Sequence, residues 1–205
     1  MEEARPSPTP APASTPRRRG RPRSEAVGEA ILEAAARLLG ERGYAALTME
    51  GIAAEAGISK PTLYLRYGGK AEVVAAAFAR LRMGAAPAPA GDLRADLVAQ
   101  LRHLRRVYAT VGMSVLGVCL AEEEHEPDLI AGLREGSLEP GRRLMRDAMA
   151  AARERGEIAA DADLDTAVEM AVGAFYAHHL AGTGFDEGWA ERVVDALLRG
   201  LRPAS

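Results

Sequence analysis

Apolar side chains along this chain recur every three or four residues, which is the spacing that places them on one face of a helix. The first such segment begins at Ser24, a residue suited to the N-cap, and is closed by Gly43. Two short segments follow. Thr48 can cap the first, and Ser59 can cap the second, which carries Pro61 in its first turn. The short pair predicts a helix-turn-helix packed against the longer first helix.

The same spacing continues through the rest of the chain. The glycine pair 68–69 ends the second short helix, Lys70 opens another, and residues 83–91 form a break rich in Ala, Pro and Gly. Further helices are predicted at about 93–108, where Leu93, Leu97, Leu101, Leu104 and Tyr108 form one apolar stripe, and at about 111–121, 129–155, 163–181 and 186–201. The second of these is nearly all apolar and is expected to be buried on most sides. Pro140 is expected to kink or start the third of these, and Asp163 or Asp165 to cap the fourth. The sequence therefore predicts an all-α fold of about nine helices.

Composition supports helices and narrows the setting. Only 4% of the residues are aromatic, which disfavours strands, and no run of 18 apolar residues exists to span a membrane. The first 30 residues lack the apolar core of a signal peptide. Cys119 is the single cysteine, so it cannot form an internal disulfide and is expected to be a small buried apolar residue. These features favour a cytoplasmic protein.

The charge is divided unevenly along the chain. Residues 1–80 carry 12 Lys and Arg against 9 Asp and Glu, whereas residues 81–205 carry 14 against 20. A basic front end favours contact with a polyanion. Residues 1–23 are rich in proline, are predicted to be disordered, and end in a basic cluster that includes Arg19 and Arg21. This arm is either a solubilising tail or a minor-groove contact, because Gly20-Arg21-Pro22 resembles an AT-hook.

The second short helix carries the side chains that could contact DNA. Two such short helices bury too little surface to be stable alone, so the first helix must pack across them. The outer face of the second short helix is then free to enter a major groove. The candidates on that face are Lys60, Thr62, Tyr64 and Tyr67, whose ammonium and hydroxyl groups suit phosphates and base edges. Leu63 and Ile58 are expected to face inward. In the alternative interpretation, both tyrosines simply fill a core.

Residues 31–78 resemble the DNA-binding domain of the tetracycline-repressor (TetR) family. The ordered resemblance comprises Gly43-Tyr44, Thr48, Ile52-Ala53, Ala56-Gly57-Ile58-Ser59, Thr62-Leu63-Tyr64, Tyr67 and Lys70. It implies that residues 59–62 and Tyr64 contact DNA, that Tyr67 and Lys70 hold phosphate, and that Thr48 meets the backbone. With the arm, the predicted DNA-binding residues are Arg19, Arg21, Thr48, Ser59, Lys60, Pro61, Thr62, Tyr64, Tyr67 and Lys70. Arg66, which could add a phosphate contact or alter the groove preference, and Gly68-Gly69 depart from the family pattern.

The resemblance also implies the organisation of the whole chain. A disordered arm (1–23), a DNA-binding domain (24–82) and a linker (83–91) would precede a ligand-binding and dimerisation domain (92–205). It implies a repressor that binds a palindromic operator on double-stranded DNA as a homodimer through its last two helices. A small-molecule effector would release it. The candidate ligand-binding residues are Leu104, Tyr108, Met113, Leu116, Met145, Phe175 and Tyr176, although for each of them taken singly the sequence favours a place in the plain core.

Other functions have weaker signals. The acidic run 122–126 and the pair His178-His179 lack the spacing of a zinc site, so we expect a solvated helix end and no metal. His103 is expected to be partly exposed. No motif of a phosphate loop, serine nucleophile or zinc protease is present, so we predict no enzyme, catalytic residue or cofactor. The main competitor is a helical protein whose basic arm binds acidic partners without reading sequence, and an activator would use the same DNA-binding helices.

Overall fold

The computed structural model describes residues 21–84, 86–121, 123–125 and 127–203, and their regular structure is entirely helical. The helices are α1 (Arg21–Ala46), α2 (Met49–Glu55), α3 (Lys60–Tyr64), α4 (Lys70–Gly84), α5 (Leu93–Val111), α6 (Ser114–Ala121), α7 (Pro127–Leu133), a π turn (Arg134–Leu138), α8 (Glu139–Glu154), α9 (Leu164–Leu180) and α10 (Trp189–Gly200). Because α7, the π turn and α8 are continuous, the described residues form nine separate helical segments. The predicted all-α fold is confirmed.

The start of α1 differs from the sequence prediction. The helix begins at Arg21, so Ser24 lies inside it and is not its N-cap. The Ser24 hydroxyl and carbonyl oxygens instead accept hydrogen bonds from Nη2 of Arg66, at 2.9 Å and 3.0 Å. A residue 42 positions away therefore uses the polar groups that we assigned to capping. At the other end, Gly43 leaves the helical conformation with φ 72°, as its position predicted.

Continuity between α7 and α8 depends on the turn before Pro140. Proline has no N–H to donate and its ring crowds the preceding turn of a helix. The backbone widens here into a π turn in which the N–H of Glu139 donates to the carbonyl of Arg134, five residues earlier. Pro140 then lies in the first turn of α8, where a donor is not needed. The expectation that Pro140 kinks or starts this helix is confirmed.

One continuous core joins the front helices to the rest of the chain. The predicted stripe of α5 is buried along its whole length, comprising Leu93, Leu97, Leu101, Leu104 and Tyr108. α1 packs against α5 and α6, whereas α4 packs against α7 and the π turn. No helix within the described ranges combines the length and apolar composition needed to cross a bilayer.

Two expectations about burial in this core are wrong. We expected α6 to be buried on most sides, but Leu120 is exposed, although Cys119 is buried as predicted. His103 was expected to be partly exposed, yet it is 2% exposed and its Nε2 lies 2.7 Å from the carbonyl oxygen of Arg82. Periodicity alone did not show that α4 would cover this side of α5.

Candidate DNA interface

Local hydrogen bonds fix the ends of the two short helices. The Thr48 hydroxyl accepts from the N–H of Gly51 at 3.0 Å and caps α2. The Ser59 hydroxyl accepts from the N–H of Thr62 at 3.4 Å and caps α3, with Pro61 in the first turn. Gly57, between the helices, has φ 66°, a conformation that glycine adopts at little cost. Both predicted caps are confirmed.

Leu63 holds α3 against the core and thereby determines which face points outward. Its side chain is 0% exposed, and Ile58 is half-buried against the same core, as predicted. Tyr64, the next residue along α3, is 51% exposed. Lys60 and Pro61 are exposed too, and Thr62 is partly exposed. The outward face of this short helix therefore displays Lys60, Thr62 and Tyr64, three of the four side chains predicted to lie there. The fourth, Tyr67, lies beyond the helix and is half-buried.

Three polar residues at this face, Ser59, Lys60 and Thr62, already have polar partners. The Ser59 and Thr62 hydroxyls are 2.8 Å apart and hydrogen-bonded to each other. Lys60 Nζ lies 2.8 Å from Oε1 of Glu50 on α2. The ammonium group of Lys60, which donates to this carboxylate, lowers the pKa of Glu50 below its ordinary value. Both side chains are exposed, so solvent and salt screen this pair, and a phosphate can replace the carboxylate as the lysine's partner.

Tyr67 and Lys70 lie just beyond α3. Tyr67 is half-buried against the core, and desolvation raises the pKa of its hydroxyl, which therefore stays a hydrogen-bond donor at neutral pH. Lys70 Nζ lies 4.3 Å from the ring centroid of Tyr44, within the range of a cation–π contact. Nearby, the N–H of Gly68 donates to Oε2 of Glu72 at 2.6 Å. This bond braces the glycine pair before α4.

Sequence reasoning missed Leu65 and gave Arg66 a different role from the one the structure shows. Leu65 is 87% exposed, which is unusual for a leucine beside a buried one, and lies at the end of α3 next to Tyr64. Arg66 was considered as a phosphate contact, but its guanidinium is bonded to Ser24 on α1. The sequence did offer a signal for Leu65, because it is an apolar residue that directly follows Tyr64, which was predicted to face outward. Arg66 gave no such signal, because its partner is distant in sequence.

The predicted arm lies largely outside the described residues. Arg19 is not described, and for Arg21 the structure gives only the backbone at the start of α1. The assignment of this arm to a minor groove, and the disorder predicted for residues 1–20, therefore stay predictions. Residues 21–23 were also predicted to be disordered, and this is wrong, because they form the first turn of α1.

The predicted ligand-binding residues are distributed between a cavity and the core around it. A cavity of about 180 Å³ is lined by Arg82, Leu104, Leu138, Arg142, Glu169, Val172, Gly173 and Tyr176. The Tyr108 hydroxyl lies 3.1 Å from that of Tyr176, at the edge of this cavity. Met145 and Phe175 are buried in the core, Met113 and Leu116 are half-buried against it, and none of these four residues lines the cavity. The sequence missed the polar lining, above all Arg82.

The potential metal ligands do not converge. Among the described residues, no three His, Cys, Asp or Glu side chains are arranged to hold a metal ion. His178 Nε2 lies 2.8 Å from the carbonyl oxygen of Gly184 in the loop before α10. This contact gives His178 a structural role in that loop.

The capped pair of short helices, with an outward polar face anchored by one leucine, is a helix-turn-helix of the kind that transcriptional regulators carry. Residues 31–77 match the family model described as bacterial regulatory proteins, tetR family, and residues 87–197 match the tetracyclin repressor-like C-terminal domain. The chain belongs to the TetR family of transcriptional regulators.

Relatives match nearly the whole chain. The DNA-binding transcriptional repressor TetR of Mycobacteroides abscessus is 30% identical over 187 residues, which cover 89% of this chain and 98% of that protein. The uncharacterized HTH-type transcriptional regulator YdeS of Bacillus subtilis is 26% identical over 92% of this chain and 96% of its own length. The crystal structure of the TetR family transcription regulator SCO0332 superposes with a TM-score of 0.70 at 32% identity, covering 86% of this chain and 99% of that one.

Proposed function

We propose that this regulator is a repressor that binds a palindromic operator as a homodimer and leaves it when a small molecule binds the helical body. The outward face of α3 carries the proposal, since Lys60, Thr62 and Tyr64 are displayed there around the buried Leu63. We assign DNA reading to residues 24–82, a linker to 83–91, and ligand binding and dimerisation to 92–205. The target is chromosomal DNA, so the protein would act in the cytoplasm, and we propose no catalytic role.

The DNA contacts follow from side-chain chemistry. Tyr64 and Thr62 would reach base edges or phosphates through their hydroxyls, and Lys60 would exchange Glu50 for phosphate. We add Leu65 to the predicted set, because an exposed apolar side chain at this place can contact a thymine methyl group in the major groove. Thr48 lies at the N-terminus of α2, where backbone N–H groups favour a phosphate.

An apolar groove on the last two helices supports the homodimer. It measures about 340 Å³ and is lined by Met170, Ala171, Ala174, Val193, Ala196, Leu197, Gly200 and Leu201. Met170 and Leu180 are exposed on α9. A second copy related by a two-fold axis would cover this groove with the same surface and form a four-helix interface. The two α3 helices would then lie about 34–36 Å apart, one turn of DNA, and would require a palindromic site.

Release by a ligand is supported by the path of α4. This helix begins at Lys70, six residues after the end of α3, and its last turn contributes Arg82 to the cavity. A ligand that binds one arrangement of α4 better than another shifts the population toward that arrangement. A changed spacing of the α3 helices would no longer match successive major grooves.

Selection of bound sites from random double-stranded DNA at physiological salt tests the proposal. We expect an enriched palindrome bound at least about 10³-fold better than random DNA. Tyr64→Ala is expected to lose this preference while keeping the dimer, as measured by light scattering after gel filtration. Deletion of residues 1–20 is expected to weaken selection of A·T pairs beside the palindrome.

Two results would overturn the proposal in different ways. Binding without any enriched sequence, fading steadily as salt rises, would identify a charge-only binder of polyanions. An enriched site whose occupancy raises transcription from the adjacent promoter would identify an activator.

A further inference from the structure

Arg82 is a buried cation that has no counter-ion among the described residues. It lies in the last turn of α4, is 4% exposed, and is the one buried arginine among the described residues. Its Nη1 atom is shielded from solvent and has no hydrogen-bond partner. Arg82 forms no ion pair with a carboxylate within the described part of the chain. The side chains that interact electrostatically with its guanidinium are Tyr176 and Tyr108, through their hydroxyl groups. Arginine remains charged when buried, so this site lacks an anion.

The surrounding helices hold the Arg82 side chain in one place. Gly141 on α8 lies against the guanidinium, and a Cβ at that position would be 2.5 Å from Nε and 2.6 Å from Nη2. The glycine therefore leaves the space that the guanidinium occupies. On α5, His103 Nε2 lies 2.7 Å from the Arg82 carbonyl oxygen and fixes the backbone. A charged group held this firmly has already lost the conformational freedom that binding would otherwise cost it.

The adjoining cavity combines apolar walls with this single unpaired charge. Leu104, Leu138 and Val172 supply the apolar lining of its roughly 180 Å³. Its two other charged groups are Arg142 and Glu169, whose Nη2 and Oε1 atoms lie 3.4 Å apart, with Glu169 largely exposed. These two charges offset each other, so the lining carries a net charge of about one positive unit, located at Arg82.

We propose that this cavity binds a small monocarboxylate, with its carboxylate on the Arg82 guanidinium and its apolar part against Leu104, Leu138 and Val172. The inference rests on the ligand-responsive part of the proposed function and names the chemical class of the effector. Guanidinium and carboxylate form paired, parallel hydrogen bonds, and burial strengthens them. The hydroxyl of Tyr176, which lines the cavity, can donate to the same oxygens.

Charge and size favour this class over other anions. A phosphate monoester carries nearly two negative charges, and the second would face the Glu169 carboxylate without a free cation to balance it. Drug-sized ligands occupy roughly 300–1,000 Å³, so a cavity of about 180 Å³ suits a much smaller molecule. A short aliphatic or single-ring acid meets both conditions.

Calorimetric titration of the full-length protein without DNA tests the proposal. The probes are hexanoate, octanoate, benzoate and phenylacetate, each compared with its primary amide, which has similar shape but no charge. We expect at least one acid to bind, and its amide to bind at least tenfold more weakly. If no acid of the panel binds, or if each acid binds no better than its amide, the proposal is overturned.

Three variants locate the charge that the acid uses. Arg82→Gln is expected to lose at least tenfold in affinity for the acid, whereas Arg82→Lys keeps the charge and is expected to retain part of the affinity. Arg153→Gln removes an exposed arginine of α8 and serves as the matched control, with unchanged affinity expected. Full affinity in a folded Arg82→Gln protein, as judged by circular dichroism, would place the carboxylate elsewhere and refute the assignment. The comparison of acid with amide on the wild-type protein stands even if Arg82→Gln does not fold.

Failure here and failure of the proposed function are distinguishable. Binding of an acid that depends on Arg82 would stand even if the protein selected no DNA sequence. Conversely, if the protein selected a palindrome but bound no carboxylate, the proposed repressor function would stand and only the proposed class of effector would be refuted.

Discussion

Two leucines separated by one residue allow the anchoring of α3 to be tested with a single kind of substitution. Leu63→Ala removes part of a side chain that is 0% exposed, whereas Leu65→Ala makes the same change in one that is 87% exposed. A buried Leu→Ala change costs about 2–5 kcal/mol through lost burial and the cavity left behind. We expect about 3 kcal/mol for Leu63→Ala, because α3 has only five residues and can settle partly into the space. For Leu65→Ala we expect a change within about 0.5 kcal/mol.

Denaturant unfolding of both variants at one protein concentration measures this difference. In a chain of this size, about 3 kcal/mol corresponds to a fall in melting temperature of roughly 6–12 °C. Operator affinity does not follow stability in these variants, because both are expected to bind more weakly. Leu63→Ala would disorder α3, whereas Leu65→Ala would remove an apolar contact with DNA. Equal stability losses in the two variants would refute the inward anchoring of α3 at Leu63.

Three further substitutions test separate parts of the structure. Thr48→Ala removes the α2 cap and is expected to lower the free energy of unfolding by about 1 kcal/mol, measured with denaturant. Gly40→Ala would place a Cβ 2.5 Å from the carbonyl oxygen of Thr110, so we expect a net loss of about 1–2 kcal/mol, whereas Gly117→Ala meets no atom within 4 Å and should be neutral or slightly stabilising. Burial lowers the pKa of His103, so the unfolded chain binds the extra proton; stability should therefore fall as pH decreases below about 6.5, and less so in His103→Gln.

The candidate DNA interface could be predicted largely because its signals are local. Thr48 and Ser59 each bond to a backbone N–H three residues ahead, so their capping follows from composition over a single turn. Leu63 and Tyr64 point in different directions because adjacent residues on a helix are rotated by about 100°. These contacts need no information from the rest of the chain.

Where the sequence offered two candidate helix caps, or a candidate that does not cap, the structure was needed to identify the hydrogen-bond partners. Asp163 and Asp165 were equally suited to cap α9, and it is Asp163 whose carboxylate accepts from the N–H groups of Asp165 and Thr166. Ser24 had the composition of an N-cap, but the bond to Arg66, 42 residues away, gives it another role. A distant partner can outweigh a local preference, since a helix cap and a single hydrogen bond each contribute only about 1 kcal/mol.

The sequence by itself determined the number and order of the helices, the helix-turn-helix and three of its outward residues, because helical periodicity, capping and turn chemistry act within a few residues. Only the tertiary structure decided that His103 is buried, that Arg82 is enclosed without a carboxylate partner from the part of the chain that the structure describes, and that Gly141 makes room for its guanidinium. The environment of a side chain depends on which helices meet around it. At Arg82 these are α4, α5, α8 and α9, whose residues span about 100 positions of the chain and converge only when it folds.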